Sequence, residues 1–143
     1  MKKLWKAIDD KLVADVSLVA LTGYTTTNCT IARADAPDKD KSKGVYFKDV
    51  FSETLKGANT NKIKMTDVDF MLVGSSLLEC SDIRDRLEAL FENADIKKAF
   101  LDFSNSEVYC MFSKILDMEG IEYNEKTNVW ETTVSVEITW SYK

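Results

Sequence analysis

Apolar residues recur at three- and four-residue intervals near the start of the chain, where Leu4, Trp5, Ile8 and Leu12 share one side of a predicted amphipathic helix. Asp15 is placed to cap a further turn or two through Leu18, Val19 and Leu21, and Gly23 stands where a left-handed C-terminal cap belongs. The helix is therefore expected to bend or restart near Asp15. From Tyr24 to Gly44 the periodicity fades into a long loop with one short strand expected at Cys29 to Ile31. Val45 to Phe51 then reads as a strand, and a polar connection follows around Gly57 to Asn61.

The next strand changes phase. Ile63 and Met65 share one parity and Val68, Phe70 and Leu72 the other, which predicts a bulge near Thr66 to Asp67. After Gly74-Ser75-Ser76, a helical stripe of Cys80, Ile83, Leu87, Leu90 and Phe91 lies opposite Asp82, Asp85, Arg86, Glu88 and Glu92. Two long strands close the chain, about Val108 to Met118 and Val129 to Tyr142, with Gly120 and the polar run Asn124 to Asn128 predicting a long hairpin connection. In the last strand Trp130, Val134, Val136, Ile138, Trp140 and Tyr142 alternate with Glu131, Thr133, Ser135, Glu137 and Thr139, so one face packs and the other meets solvent or a partner. The order of helix, two strands, helix, two strands predicts an α+β fold. It would be a mainly antiparallel sheet of four to five strands with two principal helices on one face.

At 143 residues and 45% hydrophobic content, one domain spanning residues 1–143 is expected, with long loops at about 24–44 and 52–62. The 19 basic and 24 acidic residues leave a net charge of -5, and the densest charged stretch, Asp38 to Lys43, alternates in sign. A chain of that balance has no basic footprint for a phosphate backbone. Acidic residues interrupt the run after Met1-Lys2-Lys3, so no export signal is read there, and no apolar stretch is long enough to span a membrane. Cys29, Cys80 and Cys110 are odd in number and widely spaced, which suits a reducing cytoplasm better than a disulfide framework or a zinc site.

Candidate chemistry is sparse. The absence of histidine removes the histidine-based triads and the helical zinc motif, and five isolated glycines cannot build a dinucleotide fingerprint or a phosphate loop. Asp67 and Asp69 project from one face of their strand and are the best carboxylate pair for metal or acid–base work. The plainer reading is the solvated side of a half-buried strand. Cys80 and Cys110 read as packing thiols. Trp130 and Trp140 stand among Glu131 and Glu137 with three arginines in the whole chain, which favours core or protein interface over base stacking. No catalytic, cofactor or metal site is assigned, and the chain reads as a non-enzymatic subunit of an assembly.

The run Leu4 to Leu12 followed by Leu18-Val19-Ala20-Leu21-Thr22-Gly23 resembles the start of the tail terminator proteins of tailed bacteriophages, also called tail completion or head–tail joining proteins. The resemblance continues through Gly44 to Phe47, Val68 to Val73, Asp82 to Leu87 and Trp130 to Ile138, in order and pattern over nearly the whole chain. It implies a virion protein of the tail or neck, assembled in the host cytoplasm as a ring, usually a hexamer. Such a ring caps the tail tube, ends its polymerisation and offers the head-docking surface.

The partners so implied are copies of itself, the tail tube protein, a head-completion or neck protein and a sheath component. DNA would cross the lumen without specific binding, and no cofactor or membrane is involved. The stretch Asp35 to Lys43 lacks the arginine- and proline-rich character of many relatives, and the connection at Asn93 to Asn105 is long. Interface residues are expected at Asp35, Asp38, Lys39, Asp40, Lys41 and Lys43, at Lys56, Asn59 and Asn61, and at Glu131 and Glu137 on the closing strand. The alternatives are another neck or tail component, such as a head-completion, tube or sheath-associated subunit, and a small non-viral protein-binding module using a sheet edge.

Overall fold

A computed structural model describes residues 2–54, 63–92, 94–95 and 107–142. Helix α1 (Lys2–Ala14) buries Leu4, Ala7, Ile8 and Leu12, the one-sided stripe its spacing requires. Asp15 breaks it in extended conformation, and its carboxylate accepts the Leu18 N–H at 2.9 Å to start α2 (Val16–Thr22). Gly23 ends α2 in the left-handed region at φ 67°, its N–H donating to the Val19 carbonyl. The opening segment is thus two helices, and with α3 (Leu77–Phe91) the described residues hold three. Ser76 caps α3 by accepting the Glu79 N–H, and Glu79 reaches back to the Ser75 N–H and hydroxyl.

The fold is α+β, as the pattern predicts, with more strands than expected. Strands β1 (Ile31–Arg33), β2 (Gly44–Thr54), β3 (Ile63–Gly74), β4 (Ala94–Asp95), β5 (Val108–Met118), β6 (Glu122–Asn124) and β7 (Val129–Tyr142) form one sheet, seven-stranded among the described residues. The order is β1-β2-β3-β7-β5-β4, with β6 also pairing β7. The extra members are short. β1 runs parallel to β2, and the other pairs are antiparallel.

Two expectations are corrected. β3 pairs with β7 without interruption from Ile63 to Gly74, so no residue is inserted at Thr66 to Asp67. The bulge lies across the ladder on β2, where Asp49 faces Val68 and Phe51 faces Asp67, leaving Val50 as the extra residue. The phase change in β3 has another cause: Thr66 holds a position on the core face and is fully buried, its hydroxyl accepting the Trp140 indole N–H at 2.9 Å and lying 3.0 Å from the Ser52 hydroxyl. The hairpin connection is also shorter than predicted. β6 follows β5 along the same side of β7, and only the turn at Glu125 to Asn128 joins them, with Asn128 at φ 56°.

All three helices pack on one face of the sheet. Leu4, Ile8, Leu12 and Leu18 join Ile83, Leu87 and Phe91 against Phe47, Phe70, Val136 and Trp140 in one cluster. Each such buried side chain contributes about 1.5–3 kcal/mol relative to exposure. α3 runs close to the sheet because Gly74 lies under its first turn: a Cβ there would sit 2.5 Å from the Cys80 nitrogen. A bidentate ion pair from Arg86 to Asp15, with Nε 3.0 Å from Oδ1, ties α3 to the α1–α2 break.

Candidate interaction surface

Pairing of β3 with β7 sends Met65, Asp67, Asp69, Met71, Thr133, Ser135, Glu137 and Thr139 to the face turned away from the helices. β5 adds Tyr109, Phe112, Lys114 and Asp117 to it, and β2 adds Tyr46, Lys48, Phe51 and Glu53. One end is partly covered. There the loop after β1 lies over a small cluster of Tyr46, Val73 and Val129, with Ala32, Ala34 and Met71 packed against it.

Most of the expected interface residues belong to this loop, and it is a structured one. The Asp38 carboxylate accepts the Asp40 N–H at 2.9 Å, and its carbonyl accepts the Lys41 N–H at 3.2 Å. Lys41 Nζ donates to Asn28 at 2.7 Å and Lys48 Nζ to the Asp35 carbonyl at 3.5 Å. Lys39 and Asp40 are exposed, and Lys43 lies over Gly23. Between this loop and the β6–β7 turn is a cleft of about 230 Å³, with Pro37, Asp38, Lys39 and Lys41 on one side and Thr127 and Glu131 on the other. Glu131 is held there by the Asn124 amide at 3.2 Å. The structure therefore gathers Asp38, Lys39, Lys41 and Glu131 into one place. Lys56, Asn59 and Asn61 lie outside the described residues.

Glu137 belongs elsewhere, at the centre of the uncovered part of the face. It stands directly opposite Asp67 in the β3–β7 register, with its side chain only 18% exposed and Lys114 Nζ 3.6 Å away. Burial and then the neighbouring Glu137, Asp69 and Glu53 carboxylates push the Asp67 carboxyl above its ordinary range, against a smaller downward pull from Lys114. Asp69 is held by the Ser135 hydroxyl at 2.7 Å. Sequence reasoning picked out Asp67 with Asp69 and, separately, Glu137. The pairing of β3 with β7, which joins them, was the missing link.

Among the described residues no three of Cys, Asp and Glu are grouped to hold a metal ion. Burial pushes the Cys80 thiol up to about 11 and the Cys110 thiol up to about 12, so neither is a thiolate near neutral pH. Cys29 is exposed. No helix among the described residues is long and apolar enough to cross a membrane.

The fold has a counterpart among solved structures. The chain superimposes with a TM-score of 0.64 on one described as "Virion of native gene transfer agent (GTA) particle", at 12% identity, covering 96% of this chain and 94% of that one. The likeness is one of fold. It covers nearly all of both chains. No protein-family model and no curated protein sequence matches the chain.

Proposed function

We propose that this protein is a structural subunit of a phage-type virion, and that within the virion it terminates the tail as a ring that caps the tube and receives the head. The observation that carries the reading is the near-complete superposition on a virion chain, 96% of one against 94% of the other. The order of elements that resembles tail terminators from Leu4 through Ile138 supports the finer part. A broad β-sheet face that holds carboxylates and aromatic rings fits a role in binding protein. The net charge of -5 suits a channel that DNA crosses without adhering. The loop at Asp35 to Lys43, with Glu131 across the cleft, is the contact we assign to a neighbouring subunit or the tube.

Particles assembled without this chain test the reading. Tail tubes of uncontrolled length, or finished tails that fail to join heads, are the expected result. Tails of normal length attached to heads would contradict it. Heads that leak DNA while the free tails are normal would move the protein to the head-completion position.

A further inference from the structure

The uncovered part of the sheet face carries more acid than base among the described residues. Glu53, Asp67, Asp69 and Glu137 lie together on β2, β3 and β7, with Lys114 beside Glu137 and Lys48 opposite Asp69, its Nζ turned to the Asp35 carbonyl. Phe51 is 56% exposed and Phe112 37% exposed on the same face, so the carboxylates have apolar flanks. Charged groups held this close without enough counter-charge weaken the isolated chain, and a partner that supplies cations and an apolar surface relieves the repulsion.

The same chain carries that complement at another place. Lys3 and Lys64 Nζ lie 5.6 and 5.7 Å from the centre of the Tyr142 ring, and Lys64 lies 5.9 Å from that of Trp140. Glu107, 3.2 Å from Lys3, is the acid described there. Lys64 pairs with Trp140 on the helix side of the sheet, so this corner and the acidic face point in different directions.

We propose that the acidic sheet face of one copy receives the Lys3–Lys64–Tyr142 corner of a second copy. The proposal rests on the assembly reading above and names the surfaces that build the assembly. The two surfaces differ, so the contact is heterologous. Repeated, it closes into a ring or runs on as a filament, and it does not stop at a two-fold dimer. Incoming ammonium groups meet Asp67 and Glu137, and the Tyr142 ring meets the apolar flanks formed by Phe51 and Phe112.

A charge-swap experiment on the full-length chain tests this, read by sedimentation and mass measurement with and without tail tube. The variants are Asp67→Lys with Glu137→Lys, and Lys3→Glu with Lys64→Glu. Circular dichroism checks their folding, and Asp67→Asn with Glu137→Gln serves as the milder pair. Each reversal alone is expected to weaken self-association about tenfold or more, and an equal mixture of the two restores it, because each altered surface then meets its altered complement. The neutral pair weakens it less. Association should also weaken at high salt.

Reversed variants that associate as tightly as the parent, or a mixture of folded variants that does not recover, overturn the proposal. If the parent still caps tubes in that case, the terminator reading stands and only the choice of surface fails. A parent that never self-associates, on tube or off it, overturns both. Loss of tube binding by the acid-face variant, with self-association intact, would assign the face to the tube protein and overturn the second-copy contact.

Discussion

Thr66 is a polar residue at a position where the alternation of β3 calls for an apolar one. Its hydroxyl accepts the Trp140 indole N–H, and both side chains are fully buried. Thr66→Val keeps the shape and strands the indole donor, so we expect a loss of about 1–3 kcal/mol in urea unfolding, with Thr66→Ser close to the parent. Sequence periodicity alone misreads this residue as a bulge, because a buried threonine with a distant partner looks the same as a phase slip. The pairing with Trp140 spans 74 positions and cannot be seen locally.

Asp67, next to it, makes the opposite contribution. Its folded pKa is raised, first by burial and then by Glu137, Asp69 and Glu53. The stability it contributes is therefore fully present below its unfolded pKa and is lost as pH rises through the folded value. Asp67→Asn should melt at or above the parent temperature at neutral pH, and the difference should shrink as the pH falls through the carboxylate range. A variant clearly less stable than the parent at neutral pH would contradict the crowding of carboxylates on this face.

Among the elements, the break between α1 and α2 is the best-determined feature and was legible in the sequence. An N-cap aspartate and a left-handed glycine bracket α2, and each acts through a local hydrogen bond. The partner of Asp15 was not legible, because Arg86 comes from α3, 71 positions away. Burial pushes the Asp15 carboxyl up, but the Arg86 hydrogen bonds and the Leu18 N–H outweigh it and hold the group below its ordinary value. This contribution to stability is present above the unfolded pKa and is lost as pH falls through the folded one.

Arg86→Ala should therefore cost about 1–3 kcal/mol at neutral pH, with the cost fading on acidification, and thermal unfolding across pH reads it. A pH-independent cost would mean that Arg86 acts through packing alone. Of the long strands, β3 and β7 follow from their alternation and β2 from its β-branched and aromatic residues. Of the short strands, β1 lies at Ile31–Arg33, two residues later than the strand expected at Cys29 to Ile31, and β4 and β6 are not foreseen, because two or three residues carry no period and pair only where a longer neighbour offers an edge.

At the scale of the whole molecule, composition, charge and missing motifs narrowed the field without naming a function. The order of the elements resembles that of tail terminators, and the superposition on a gene transfer agent virion chain is a likeness of fold. Which of the expected interface residues lie together was only half readable. Asp38, Lys39, Lys41 and Glu131 do gather around one cleft, whereas Glu137 joins Asp67 and Asp69 only through strand pairing. Exposed loops are easy to pick out from polar composition, but a charged sheet face exists only once the strands are in register.

The central claim is that this chain closes a tail tube. Purified protein added to growing tubes and imaged by electron microscopy tests it most directly. The account predicts ring-shaped density at one end of each tube and an arrest of further growth. Tubes that grow at the same rate with bare ends, or protein bound along their length, would contradict it.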